Sequence, residues 1–177
     1  KSSKNTVWEA VPVSGTAYVP TTTISAAPTG GGTSYEAVNL LTPKRINTFI
    51  GDGTATQFKV DATDLDETAV TAEVNGSAVT VSAVNRSTGL VTLAAAPANG
   101  NGLANVSIAF AKTVSGHADK INKCRFSGLY GGKNDTRVFL SGNPDEPDCD
   151  WQSGLYDPTY FPDTGYTRMG TDASVIV

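Results

Sequence analysis

The Asn75-Gly76 dipeptide, which lies between two runs of apolar residues, most restricts what this chain can fold into. Asn and Gly both tolerate positive φ, which a two-residue type I′ turn requires at both of its central positions. The apolar residues around it are Val70, Ala72 and Val74 before the turn, and Ala78, Val79, Val81 and Val84 after it. The pattern therefore predicts an antiparallel hairpin whose second strand runs from Ala78 to Val84.

Further apolar runs on both sides of this hairpin have the length and spacing of short strands. Their residues are Phe58 and Val60 before the hairpin and, after it, Leu90, Val91 and Leu93, then Val106, Ile108 and Phe110. The turn Asn85–Gly89 and the loop Ala96–Gly102 separate the later runs. Strands spaced by about 8 to 12 residues, with turn chemistry between them, are typical of a small β-sandwich. We predict such a module over residues 47–113, and its neighbouring ends suit insertion into a loop of a larger fold.

The C-terminal part, residues 114–177, has the rhythm of a β-propeller blade. Strand candidates at Cys124–Tyr130, Arg137–Ser141 and Asp150–Leu155 are separated by a polar turn and by the loop Gly142–Pro147. Short strands, tight turns and aromatic residues that fill the space between neighbouring sheets are what a four-stranded blade requires. A single blade leaves one sheet face without a partner, so its neighbours must come from a longer polypeptide or from other subunits.

The N-terminal part, residues 1–46, is predicted to be an extended, loop-rich segment of a larger β fold. One strand candidate lies at Thr6–Val13, and the β-branched run Thr21–Ile24 also prefers extended backbone. A helix of about two turns is an option at Tyr35–Leu41, where Ser34 could cap it. Within it, Gly15–Arg45 has the composition of an extended arm that contacts other subunits.

The composition favours an all-β fold. The chain has 18 Gly and 9 Pro among its 177 residues, with abundant Thr, Val, Ser and Ala and little of the Leu, Glu and Lys periodicity of helices. Acidic residues exceed basic ones by 17 to 13, which argues against a broad nucleic-acid-binding face. The same charge balance is compatible with a conduit along which DNA slides. An acidic or neutral wall suits such a conduit, because Lys and Arg on the wall would hold phosphates. No apolar run approaches the roughly 20 residues of a membrane helix.

Three stretches carry a resemblance to proteins of tailed bacteriophages. The run NDTRVFLSGNP, with DWQSGLYDPTYFPDTGYTRMGTD after it, resembles segments of phage and prophage structural proteins, including propeller-containing tail proteins of the nozzle or stabilisation type. The stretches Ala17–Ile24 and Pro28–Arg45 resemble phage virion sequence of the same kind. Phe49–Val60 is similar to the opening strand of small immunoglobulin-like (Ig-like) modules in phage tails and fibres.

The resemblance implies a structural protein of a virion tail, assembled in the cytoplasm of the host bacterium. Such a protein would form a homo-oligomeric ring, with six-fold related copies, around the DNA exit path and would dock other tail or portal-vertex proteins. The chain begins without Met and ends in the apolar run Ala173–Val177, so we expect it to be part of a longer polypeptide. Cys124 and Cys149 lie in adjacent strand candidates and could pair, but a virion assembled in a reducing cytoplasm favours free thiols.

Two acidic clusters and one glycine run were considered as binding sites. The clusters are Asp145, Glu146, Asp148 and Asp150, and Asp61, Asp64, Asp66 and Glu67. The first could supply oxygen ligands to calcium but lacks the EF-hand ligand order, so a solvated turn is favoured; the second is interpreted as a surface loop. Gly30–Gly32 precedes Thr33 without the Lys of a phosphate-binding loop, so we predict a structural loop.

No catalytic motif stands out. The one histidine, His117, lies in the polar connection Val114–Asn122, which we predict to be a hinge, and no serine has an elbow motif around it. One His and two distant Cys do not form a tetrahedral zinc set. The sequence therefore predicts no enzyme and assigns no catalytic, cofactor-binding or metal-binding residue.

A group of aromatic residues allows a second function. Trp151, Tyr156, Tyr160, Phe161 and Tyr166 could form a sugar-stacking platform, although core packing is favoured. The alternative to a tail-ring protein is therefore a glycan-binding or receptor-binding fibre module. A cell-wall or capsule depolymerase is a third option, because the separation of paired carboxylates cannot be read from sequence.

Overall fold

The computed structural model describes residues 13–131 and 136–170, and these residues are mostly strand and loop. The helices are α1 (Val13–Thr16) and α2 (His117–Asn122). The strands are β1 (Thr21–Ala26), β2 (Thr33–Ser34), β3 (Lys44–Phe49), β4 (Gln57–Lys59), β5 (Thr71–Val74), β6 (Ser77–Val79), β7 (Val81–Asn85), β8 (Leu90–Leu93), β9 (Val106–Ala111), β10 (Phe126–Gly131), β11 (Thr136–Ser141), β12 (Cys149–Gln152) and β13 (Tyr166–Arg168). The predicted all-β class is confirmed.

Two sheets share the larger hydrophobic core, and we call them together the two-sheet unit. One has six strands in the order β2-β1-β3-β9-β5-β6, and the other has three in the order β4-β8-β7. Strands β3 and β9 bury alternate residues, as expected where one sheet face packs on a core. The two sheets meet at Phe49 and Phe58, whose rings contact edge to face with centroids 5.4 Å apart.

The predicted hairpin is present at Asn75-Gly76. Both residues have positive φ, 49° and 75°, so the turn has the geometry that this dipeptide predicted. The strand predicted to follow it as one piece is divided at Thr80, because β6 pairs with β5 while β7 pairs with β8 in the other sheet. The apolar residues after the turn do not alternate strictly, and the change of sheet explains why.

The N-terminal segment contributes β1, β2 and the start of β3 to the two-sheet unit. β1 runs parallel to β3, with register shifts that include a positive φ at Ser25. The helix considered at Tyr35–Leu41 is not formed. The amide of Tyr35 donates to the carbonyl of Thr22, and that of Leu40 donates to Phe161, so cross-chain partners take amides that a helix would use.

The C-terminal segment forms a separate four-stranded antiparallel sheet in the order β10-β11-β12-β13. The three predicted strands are present with their ends shifted by at most three residues, and β13 was not predicted. One face of this sheet packs on a second core that contains Leu40, Ile121, Cys149, Trp151 and Phe161. The segment predicted as a hinge contains α2, and α2 brings Ile121 into this core.

Three sequence features fall partly or wholly outside the described residues. They are the strand candidates Thr6–Val13 (apart from Val13, where α1 begins) and Ala173–Val177, and most of the turn between β10 and β11. Within the described part of the chain, no helix has the length and apolar character needed to cross a membrane.

Candidate assembly interface

Asn39 joins the N-terminal segment to the four-stranded sheet. Its Nδ2 donates to the carbonyls of Tyr18 and Thr159, at 2.8 Å each. Its Oδ1 accepts from the amides of Leu41 and Phe161, at 3.1 and 3.0 Å. The Asn39 side chain itself is buried, so leaving its polar atoms without hydrogen bonds would be costly. This residue fixes the position of the C-terminal sheet relative to the preceding segment.

Two tyrosines extend the same joint. The rings of Tyr18 and Tyr160 lie 5.2 Å apart; Tyr160 donates to the carbonyl of Ala37, and Tyr18 donates to the carboxylate of Glu36. Burial raises the pKa of each phenol to about 12, and the Glu36 carboxylate adds to the shift at Tyr18. Both hydroxyls therefore act as neutral hydrogen-bond donors at physiological pH.

Asp61 is the centre of a polar network between β1 and β3. Its Oδ2 accepts hydrogen bonds from Thr22, Thr23 and Asn47, at 2.6, 2.8 and 2.9 Å. The amide of Asp61 donates in return to Oδ1 of Asn47 at 2.8 Å. The network holds the parallel pair β1–β3 together at its register shift. The Asp61 carboxylate therefore has a structural role.

A polar groove of about 630 Å³ lies beside this network. Its wall includes Tyr35, Arg45, Asp61 and Asp163. Arg45 is buried; its Nη2 donates to the carbonyl of Lys112, and its Nε has no hydrogen-bond partner among the described residues. Burial lowers the pKa of this guanidinium, which still remains charged. The acidic side chains around the groove give it a negative character.

The face of the four-stranded sheet that points away from the second core is called here the outer face. Directly paired residues point to the same side, so Phe126, Tyr130 and Phe139 share it with Arg137 and Gln152. The rings of Tyr130 and Phe139 contact edge to face with centroids 6.2 Å apart. Phe126 and Tyr130 are 51% and 78% exposed, so these aromatic rings lie on the surface of the chain.

The outer strand of this sheet, β10, has a free edge. It pairs with β11 on one side, and no strand within residues 13–131 and 136–170 pairs with it on the other. Five of its six residues are exposed, and the strand contains no charged residue and no Pro. Natural proteins usually protect long edge strands with charges, Pro or a covering element. The outer face and this edge together form the candidate assembly interface.

The acidic cluster near the C-terminus is divided among several partners. Asp148 is buried, and Nη1 of Arg168 donates to both of its oxygens, at 2.8 and 2.9 Å, so the solvated-turn interpretation is wrong for this residue. Asp145 pairs with Lys123 at 2.7 Å, and Glu146 lies 3.9 Å from Lys120. In the described ranges, no group of three or more potential ligands could hold a metal ion.

The second acidic cluster also has structural roles. Asp66 accepts from the amide and hydroxyl of Thr113, and Glu67 pairs with Arg86 at 3.0 Å.

Gly30–Gly32 forms the turn that follows β1, with positive φ at all three glycines. A Cβ on Gly32 would lie 2.8 Å from the carbonyl oxygen of Ile24, so close packing explains a glycine there.

The cysteines and the histidine have environments that do not favour nucleophilic chemistry. Cys124 and Cys149 are free thiols. Burial raises the pKa of Cys124 to about 11 and also raises that of Cys149, which keeps both sulfurs protonated. Burial lowers the pKa of His117, so the imidazole at the start of α2 is neutral at physiological pH.

The aromatic platform considered for sugar stacking is not formed as a single surface. Trp151 and Phe161 are buried in the second core, while Tyr156 and Tyr166 are exposed. Phe126 and Tyr130, at opposite ends of β10, are exposed aromatics on the outer face, and sequence reasoning placed them in a strand but did not single them out. A strand without charges, directly beside a Gly-rich turn, was the signal for an unprotected edge.

The notable surface features among the described residues include the polar groove, the aromatic residues of the outer face and the free edge of β10. Comparison of the chain with protein-family models, with curated proteins and with solved structures gives no match. The function is therefore inferred from the physical character of these surfaces together with the sequence.

Proposed function

We propose that the chain is a structural component of a bacteriophage virion, in the tail, and of the nozzle or stabilisation type. It would oligomerise around the DNA exit path and contact other tail or portal-vertex proteins. The observation that carries this proposal is the four-stranded sheet with a bare aromatic face and an unprotected edge. A monomeric soluble protein rarely leaves such a surface uncovered, so it marks a contact with another polypeptide.

The number and arrangement of the strands support the blade interpretation of this sheet. β10 to β13 follow one another as an antiparallel meander, which is the arrangement of strands in a propeller blade. Blades pack face to face, and Phe126, Tyr130 and Phe139 are the kind of residue that fills the space between them. On this proposal the two-sheet unit is the Ig-like module of the tail protein.

The mechanism would be mechanical. The two-sheet unit supplies a rigid body, since its core residues Phe49, Phe58 and Ile108 are fully buried. The joint around Asn39 transmits load between this unit and the four-stranded sheet through buried hydrogen bonds. The excess of acidic over basic residues suits a wall along which DNA slides. No catalytic step is part of the proposal.

Cryo-electron microscopy of the intact particle that carries this chain tests the proposal. We expect a ring of copies below the portal, with the outer face in contact with protein. Trimers at the periphery of the particle would contradict the tail-ring assignment and would favour a fibre module. A chain found only free in the infected cell would contradict a virion role altogether.

A further inference from the structure

We propose that two copies of the chain pair antiparallel through the free edge of β10, centred on Gly128, so that two four-stranded sheets become one sheet of eight strands. The proposal deepens the proposed function, and it rests on that function in one respect, namely self-association. It adds which strand makes the contact, in which register and with what partner.

The free edge of β10 is suited to pairing because it is regular. All six residues of the strand pair with β11 without a register shift, so no bulge twists the outer edge away. β10 lacks the charged residue or Pro that would block an approaching strand. Its outward N–H and C=O groups are therefore available for a second ladder of hydrogen bonds.

The sequence of β10 is self-complementary about Gly128. A two-fold axis perpendicular to the sheet keeps equivalent faces on the same side, which requires the numbers of two opposed residues to have an even sum. In the register centred on Gly128, Phe126 of one copy lies opposite Tyr130 of the other, and the reverse pair also forms. Cross-strand aromatic pairs stabilise antiparallel sheets, and these two flank the glycines at the axis.

Charge also favours a second copy in this register. Arg125 precedes β10 and would lie opposite Gly131 of the other copy, so no two like charges are directly opposed along the strand. A chain with a formal charge of −4 repels its copies in general, and an uncharged strand is the place where they approach at least cost. The free edge thus has the electrostatics of a contact between identical chains.

The pair constrains the larger assembly. A ring built from such pairs contains an even number of copies, and each pair contributes one continuous sheet to it. The proposed function and the strand pair can fail separately. A virion ring in which β10 contacts something else would refute the pair alone, while a pair formed by a chain that is absent from virions would refute the function alone.

Gly128 allows a sharp test in solution. A Cβ at this position meets no atom within 4 Å, and its φ lies outside the left-handed region, so Gly128→Lys and Gly128→Thr both fit the single chain. We expect the purified wild-type chain to sediment as a dimer or a larger even-numbered oligomer. Gly128→Lys places two like charges at the axis and should raise the dissociation constant at least about tenfold, while Gly128→Thr, a better strand former, should not raise it.

Cross-linking tests the register. Opposed residues of an antiparallel pair have Cα atoms about 4.5 to 5.5 Å apart, within reach of a disulfide. Gly128→Cys should therefore cross-link to itself between copies, as shown by peptide mapping that separates it from Cys124 and Cys149. Leu103→Cys, on an exposed loop of the two-sheet unit, is the matched control and should not. Cross-linking of Leu129→Cys in place of Gly128→Cys would overturn the register.

Three other outcomes would overturn the pair itself. One is a wild-type chain that stays monomeric at every concentration. The second is an oligomer that Gly128→Lys leaves intact, because another surface would then hold it together. The third is a monomer in which the outward amides of β10 are protected from hydrogen exchange, because a segment of the same chain would then cover the edge.

Discussion

The two-sheet unit and the four-stranded sheet bury their residues in different ways. In the two-sheet unit, two sheets face each other across one core, and Phe49, Phe58, Val91 and Ile108 are each 0% exposed. The four-stranded sheet packs one face on a helix and loops, and its other face keeps Phe126 and Tyr130 at the surface. The first region buries its large apolar residues within the chain, whereas the second leaves two aromatic residues exposed.

The difference predicts that substitutions in the two regions will change the free energy of unfolding by different amounts. A closed core resists substitution because every removed methylene leaves a cavity. Substitutions of exposed residues on the outer face should change the free energy of unfolding of the single chain little, because these side chains bury little surface within it. Four predictions use this contrast.

The largest loss is expected in the closed core. Phe58→Ala removes a fully buried ring that contacts Phe49 and should lower the free energy of unfolding by about 3 to 5 kcal/mol. Urea unfolding followed by circular dichroism measures it. Leu103→Ala, at an exposed leucine of the same unit, is the control and should cost less than about 0.5 kcal/mol. Equal losses in the two variants would contradict the assigned core.

The second-largest loss of stability is expected at Asn39, which joins the two regions. Asn39→Ala removes four hydrogen bonds of a buried side chain, one of them to the buried amide of Phe161, and we expect a loss of about 3 kcal/mol in the free energy of unfolding. Cys124 and Cys149 both lie in the C-terminal core, so their rate of alkylation reports opening of that region. It should rise in Asn39→Ala and not in Asn122→Ala, an exposed control. Unchanged thiol protection would show that Asn39 does not hold the sheet in place.

A smaller effect is expected from acid. Hydrogen bonds from Arg168 hold the pKa of the Asp148 carboxyl below its usual range, so this group stabilises the folded chain above the ordinary value of about 3.9. That contribution is lost as the pH falls through the lowered folded-state pKa. Urea midpoints measured from neutral pH down to pH 3 should fall less steeply in Asp148→Asn and in Arg168→Met than in the wild type.

Asp52 provides the matched comparison in the two-sheet unit. Hydrogen bonds from the amides of Ala55 and Thr54 lower the pKa of its carboxyl, so its contribution has the same sign. Asp52→Asn should reduce the acid sensitivity of unfolding without changing thiol protection in the C-terminal core. An acid dependence that none of these variants alters would refute the assignment of both carboxylates.

The smallest effect on stability is expected on the outer face. Tyr130→Ser changes an exposed residue and should alter the free energy of unfolding of the single chain by less than about 0.5 kcal/mol. The same variant should weaken self-association measured by sedimentation, because Tyr130 lies opposite Phe126 in the proposed pair. A large loss of stability with unchanged association would mean that the phenol ring of Tyr130 packs within its own chain.

Local sequence signals predicted much of the fold. Alternating apolar residues and the Asn75-Gly76 turn predicted the hairpin, and turn residues located the strands of the C-terminal sheet within a few positions. The division of the second hairpin strand at Thr80 was not predicted, because a change of sheet depends on the opposing sheet and leaves no turn motif. A helix at Tyr35–Leu41 was an option because Ser34 could cap it and Pro43 would end it. The amides of this segment instead donate to Thr22 and Phe161, which are far away in sequence.

The candidate interface was only partly predictable. The sequence indicated that a lone blade needs a neighbour, yet it did not tell Phe126 and Tyr130, which are exposed, from Trp151 and Phe161, which are buried. All four are aromatic residues in or beside short strands. Their pairing partners decide which way each side chain points, and those partners become known only when the register is known.

By itself, the sequence determined the strand-rich class, the position of the Asn75-Gly76 turn and the approximate positions of three strands of the C-terminal sheet, because backbone preferences and side-chain periodicity act over a few neighbouring residues. Only the tertiary structure decided that β1 joins β3, that Asn39 links two distant segments and that β10 keeps a free edge. These features depend on contacts between residues far apart in the chain, and such contacts are selected by the packing of whole sheets.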